Sequence, residues 1–146
     1  MLRRLKTYNL PVCDLVTVYI GYVRPVLEYC VPLFTAGLTG RQINDLESIQ
    51  KRACRIILGS NYVSYDDALV RLGLPSLLLR REKLTQDFAI SFEKNNSCQS
   101  WLPPLRSNNF NLRNANKYNE FKCKTNRFRN SALPNLVREL NKYHKS

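Results

Sequence analysis

Residues 22–59, YVRPVLEYCVPLFTAGLTGRQINDLESIQKRACRIILG, decide the fold. The first half is apolar and carries Pro25 and Pro32, while the second half places Ile43, Leu46, Ile49, Ala53, Ile56 and Ile57 at intervals of three and four. That interval follows the turn of an α-helix and makes one apolar stripe. Thr39-Gly40-Arg41-Gln42 has the form of a capping box, in which the threonine oxygen and the glutamine side chain satisfy amide hydrogens left free at a helix start. A helix is expected from about residue 40 to 58, closed by Gly59 in a left-handed conformation.

Working outward, Pro11 precedes Asp14, which is expected to cap a helix through Leu15, Val16, Tyr19, Ile20 and Val23. Pro25 has no amide hydrogen and its ring crowds the preceding turn, so this helix should kink or restart there, continue through Leu27, Tyr29 and Cys30, and end at Pro32. Arg24 and Glu28, one turn apart, should pair and fix the packing. Ser64 starts a further helix, with Asp67 three positions on, Leu69 and Leu72 inward and Gly73 as its stop. After the extended link at Leu74-Pro75, Ser76 caps a helix to about Lys94. It directs Leu77, Leu84, Phe88 and Phe92 inward and leaves Arg80, Arg81 and Lys83 more exposed.

From Asn95, Asn, Ser and Pro accumulate around Trp101-Leu102-Pro103-Pro104, and no helical period returns until about residue 131. There Ser131 or Asn130 can cap a short helix through Leu133, Leu136, Val137 and Leu140, with Pro134 tolerated in its first turn. Trp101 is expected to anchor the loop, and Tyr19, Tyr22, Tyr29, Phe88 and Phe92 to be core. The whole reads as a mainly α chain, a bundle of four to five helices with a long irregular basic segment before a short C-terminal helix. Two parts are expected: a helical domain at 1–95 and an Asn-rich basic extension at 96–146 packing on it.

At 146 residues the chain has room for a core without metal or disulfide support. Its formal net charge of +12 suits polyanionic partners, nucleic acid or an anionic membrane surface. Residues 1–95 hold 13 Lys/Arg against 9 Asp/Glu, and residues 96–146 hold 10 against 2, so the last third carries most of the excess. No apolar run is long enough to span a membrane, MLRRLKTYNL lacks the apolar centre of a signal peptide, and the chain reads as intracellular. The odd, widely spaced Cys13, Cys30, Cys54, Cys98 and Cys123 read as reduced thiols.

Several stretches carry a resemblance. Tyr22-Val23-Arg24-Pro25-Val26-Leu27-Glu28-Tyr29 resembles the "YIRPVLEYA" block of jockey-like non-LTR retrotransposon reverse transcriptases. Leu46 to Ala53 resembles the family's "LE.IQ+RA" helix, Leu72 to Leu77 with Arg80-Arg81 its "LGLPTL..RR", and Thr125 to Ser131 its "T.R+RNSF.P" block. The order of the four blocks matches. The resemblance spans about residues 1–143 and implies the helical thumb and C-terminal extension of such an enzyme, without its endonuclease, fingers and palm. It also implies a chain that begins within a larger protein: a fragment, a decayed copy or a derived reading frame.

Tyr65-Asp66-Asp67 is spelled like the aspartate pair with which reverse transcriptases hold metal ions. That pair needs a strand hairpin and a third carboxylate, whereas this one follows a serine cap and opens a helix, so the acids read as helix-start residues. No two cysteines lie within four residues of each other, the sole histidine is His144, and no Gly-rich phosphate loop is present. No catalytic residue, metal site or cofactor is therefore assigned, and this chain alone is read as no enzyme. The candidate sites are basic: Lys51, Arg52 and Arg55 on one region of helix surface, suited to phosphates, and Lys122, Lys124, Arg127 and Arg129 interleaved with Phe121 and Phe128, suited to phosphate contact and base stacking. The resemblance implies RNA, DNA or their hybrid as partner. The competing reading is a helical interaction module that packs on the palm of a parent polymerase, or an inactive remnant.

Overall fold

A computed structural model of the protein describes residues 1–106 and 116–145. It is mainly helical, as the periodicity requires, and its residues group into two compact units, 1–29 with 39–80 and 30–38 with 81–146. The units do not part at residue 95, where the composition changes. Part of the expected irregular segment, 107–115, lies outside the described residues. Among the described residues no helix is long and apolar enough to cross a membrane.

The first unit opens with α1 (Leu2–Thr7), which buries Leu2 and sends the Lys6 ammonium to the Ile57 carbonyl at 2.8 Å. A cation is thereby placed on a carbonyl left free at the end of another helix, where the dipole favours it. α2 (Val12–Val18) follows, with Pro11 as its N-cap residue. Asp14 is thus not the cap but a first-turn acid, still on the favourable side of the dipole.

The helix does not break at Pro25. Residues Tyr19–Val23 widen into a π-turn, with the Arg24 amide bonded to the Tyr19 carbonyl, and α3 (Arg24–Glu28) continues. The extra residue in the turn accommodates a proline that cannot donate and whose ring would crowd a regular turn. α3 ends at Glu28, earlier than expected, because Tyr29 is extended and Cys30 adopts a left-handed conformation, φ 54°.

α5 (Gly40–Leu58) has the expected bounds and the full Thr39–Gln42 capping box, with the Thr39 amide donating to Gln42 Oε1 at 2.9 Å. Gly59 closes it with φ 59° and ψ −124°, a positive-φ conformation outside the left-handed helical well. The buried line of α5 is Gln50, Ala53, Cys54 and Ile57, turned away from Ile49, which is exposed. α6 (Tyr65–Leu72) is capped by Ser64 and stopped by left-handed Gly73 as expected. The core joins Leu2, Leu15, Tyr19, Ala53, Cys54, Ile57, Ala68, Leu72 and Leu74, each large apolar side chain contributing about 1.5–3 kcal/mol by its burial.

In the second unit, α4 (Val31–Phe34) carries Pro32 in its first turn, so this proline starts a helix where it was expected to end one. α7 (Leu77–Lys94) supplies Arg81 onward to this unit. Arg81 is only 2% exposed, against the expected solvent position, and its Nε and Nη2 have no hydrogen-bond partner among the described residues. It falls on the same line as Thr85 and Ala89, which are buried too.

A short α8 (Asn96–Gln99) and an antiparallel bridge between Leu105 and Tyr118 follow. Helical turns return at α9 (Asn126–Arg129), before the expected residue 131, because the Thr125 hydroxyl accepts from the Phe128 amide. α10 (Ala132–Tyr143) buries Leu136, Val137 and Leu140 against Ala89 and Tyr118, with Phe88 and Phe92 packed on the cluster. Pro134 sits in its first turn, as the sequence allowed. Trp101 is 64% exposed, not the buried anchor expected, and Tyr22 and Tyr29 are exposed; of the expected aromatic core only Tyr19 is fully buried.

Candidate nucleic-acid interface

The cations Lys51, Arg52 and Arg55 stand on the exposed side of α5. Lys51 and Arg55, one turn apart, lie over tyrosine rings: Lys51 Nζ is 5.1 Å from the Tyr65 ring centre, and Arg55 Cζ is 5.3 Å from that of Tyr62. Both side chains are exposed, so each head stays in water while its ring steers it. Arg52, exposed as well, also edges, with Arg3, an apolar groove of about 290 Å³ lined by Leu2, Val23, Ile49 and Ile56.

The Tyr65 ring under Lys51 is tied to a buried polar chain. Its hydroxyl donates to Glu47 Oε1, which also accepts the Leu77 amide at 3.2 Å. Gln50, fully buried, donates from Nε2 to the Tyr65 hydroxyl at 3.0 Å and to the Pro75 carbonyl at 2.9 Å, and accepts from the Tyr19 hydroxyl at 2.6 Å. Both amide hydrogens are used, which is what makes a buried glutamine tolerable. Burial pushes both tyrosine hydroxyls far above their ordinary range, with the Glu47 carboxylate adding to the effect at Tyr65, so both stay neutral donors. Burial likewise pushes the Cys54 thiol up to about 11, which leaves it an inert core residue.

Glu28 is held from two sides. Arg24 reaches it at 3.8 Å, as the one-turn spacing suggested, but Arg80 makes the tighter contact, with Nε on one carboxylate oxygen and Nη2 on the other at 2.8 Å. The carboxylate bond holds the Arg80 proton more firmly than usual. Sequence reasoning missed Gln50 and Arg80. The signal for Gln50 was a glutamine in phase with a buried helical line, and for Arg80 there was none short of the tertiary fold.

Tyr65-Asp66-Asp67 stands at a helix start. The Asp67 amide donates to Ser64 Oγ at 3.2 Å and its carboxylate accepts from Arg71 Nε at 3.0 Å. Among the described residues no three His, Cys, Asp or Glu side chains are grouped to hold a metal ion.

In the second unit Lys122, Lys124, Arg127 and Arg129 are all exposed. Phe121 and Phe128 meet edge to face, ring centres 6.3 Å apart. Only Arg129 of the four cations lines the adjoining groove, about 220 Å³, with Glu120, Phe121, Cys123, Pro134 and Arg138. Arg138 was not anticipated, since it sits one turn past Pro134 in a helix read for its apolar face alone.

Two polar clusters hold the segment around Tyr118. The Asn141 amide brackets Tyr118, accepting from its backbone N–H at 2.9 Å and donating to its carbonyl at 3.1 Å. Glu93 accepts from the Tyr118 hydroxyl at 2.6 Å and Lys117 Nζ at 2.9 Å, with His144 Nε2 at 3.0 Å. Burial alone would raise the Glu93 carboxyl, but those three contacts outweigh it and hold it at about 2. Burial, then the same carboxylate, pushes the Tyr118 hydroxyl up to about 12.

Comparison of the chain with family models, with curated proteins and with solved structures finds no match.

Proposed function

We propose that this chain is a thumb-like and C-terminal segment of a non-LTR retrotransposon reverse transcriptase, gripping RNA, DNA or their hybrid through phosphate contacts without strong sequence preference. The parent chemistry is RNA-directed DNA polymerisation, and this segment supplies grip and no metal-ion chemistry. The observation that carries the reading is the two-sidedness of α5. Within Leu46 to Ala53, Glu47 and Gln50 face the buried polar chain, while Lys51 of the same block, with Arg55 beyond it, faces water over tyrosine rings.

Further support is spatial. The blocks that carry the resemblance meet in the first unit: Glu28 of the first pairs with Arg80 of the third, and Glu47 and Gln50 of the second bond the Leu77 amide and the Pro75 carbonyl of the third. Stretches far apart in sequence thus act as one folding unit carrying an outward basic face. The test is a salt titration of binding to a primed RNA–DNA hybrid. Binding that weakens steeply and linearly in log salt is expected, and no binding at low salt, or salt-indifferent binding, overturns the reading.

A second reading, an interaction module for a polymerase palm, is favoured by one observation. Tyr22, Val26 and Tyr29, spaced four and three apart in the first block, are 69%, 75% and 76% exposed. Such an apolar strip on a lone chain promotes self-association, so a monomer at all concentrations in sedimentation argues against this reading.

A further inference from the structure

The second unit's groove is built differently from a phosphate track. We propose that it seats the unpaired bases of a single strand, one against Phe121 and the next on Phe128, so that this unit selects single-stranded over duplex nucleic acid. The inference rests on the nucleic-acid reading above and assigns a substrate form to one of its surfaces.

Three features carry it. First, the groove has aromatic walling and room for a flat ring: Phe121 lines about 220 Å³ of space, and a cavity of roughly 150 Å³ is enough to hold benzene. Second, Glu120 shares the groove with Arg129 and Arg138 and, among the described residues, forms an ion pair with neither, its partner being the Asn116 amide at 3.0 Å. A carboxylate there accepts the amino or ring N–H groups of a base edge, which a phosphate does not offer, while the arginines suit the backbone. Third, Phe128 is 46% exposed although its ring meets Phe121 edge-on, which leaves a face open for stacking next to the groove.

The cations are arranged for the backbone of the same strand. Arg129 and Arg138 line the groove, and Lys122, Lys124 and Arg127 stand exposed on the flanking segment and on α9. Aromatic platforms set among backbone-tracking cations bind single strands because every base has a stackable face, whereas a duplex keeps its bases stacked on one another. Thr125 and the α9 turn fix the spacing: the hydroxyl that caps the turn bonds the Phe128 amide itself.

The experiment compares full-length chain with Phe128→Leu and Arg138→Gln variants, by fluorescence anisotropy at low salt. The probes are a labelled single-stranded DNA of about 12 nucleotides, its RNA counterpart and the matching duplex, a length within the range one such platform covers. Leucine keeps an apolar contact with Phe121 but offers no ring, and circular dichroism checks that each variant retains its helix content. The native chain is expected to bind either single strand at least fivefold more tightly than the duplex. Phe128→Leu should lose about tenfold on single strands, Arg138→Gln several-fold, and neither should change duplex binding by more than twofold. Equal binding of single strand and duplex, or variants that weaken both alike or neither, overturns the inference while leaving general nucleic-acid binding in place. No binding of any probe removes the underlying reading and this inference together.

Discussion

Arg80 grips Glu28 from 52 positions away in sequence, with Nη2 on Oε2 at 2.8 Å and Nε on Oε1. The carboxylate is 12% exposed, and its other cation, Arg24, stands at 3.8 Å. Arg80→Leu leaves that carboxylate poorly compensated and should cost about 2–3 kcal/mol in urea unfolding. Adding Glu28→Leu to it should recover part of the loss, because an absent charge needs no partner. Equal or larger destabilisation in the double variant would show that the pair is not coupled.

Gln50 should be the least replaceable polar residue of the first unit. Gln50→Leu strips partners from the Tyr19 hydroxyl and the Pro75 carbonyl at once, while Tyr19→Phe removes one bond. The expected losses are about 3 kcal/mol for the former and about 1 kcal/mol for the latter, read from chemical denaturation. A Gln50→Leu chain as stable as the native one contradicts the network.

Acid should loosen the second unit through Glu93. Its folded pKa of about 2 lies below the ordinary 4.5, so its stabilisation is full above pH 4.5 and drains away as pH falls towards 2. The amount is on the order of 2–3 kcal/mol, given that the side chain is 16% exposed. Glu93→Gln should be less stable than the native chain at pH 6, and the gap should close by pH 2–3. A gap independent of pH assigns the loss to packing instead.

Charge removal on α5 should be visible in the salt dependence. Lys51→Gln with Arg55→Gln is expected to flatten the log–log salt slope for hybrid binding by about 2 and to weaken binding at low salt, with little effect on stability. Arg52→Gln, at the edge of the apolar groove and over no ring among the described residues, should change the slope by less than the pair does per residue. Unchanged slopes in both variants would place the nucleic acid elsewhere.

The sequence was most legible where one local rule decides the outcome. The Thr39–Gln42 box, the Ser64 start and the Gly73 stop could be placed from neighbouring residues alone, because capping is chemistry within one turn. Arg81 and Trp101 could not. A charged side chain defaults to water and a large ring to the interior, and only tertiary packing reverses either. The candidate site behaved likewise. The exposed cations were readable as residues, but not the tyrosine rings beneath Lys51 and Arg55, which come from a later stretch of the chain.

The π-turn at Tyr19–Val23 sets the phase of everything after it up to Glu28. One surplus residue rotates the side chains that follow it by about 100°, and in that phase Glu28 meets Arg80 while Val26 faces water. Trimming Gly21 from that turn would restore ordinary winding and swing the charged pair after it by about 100°, out of register with Arg80.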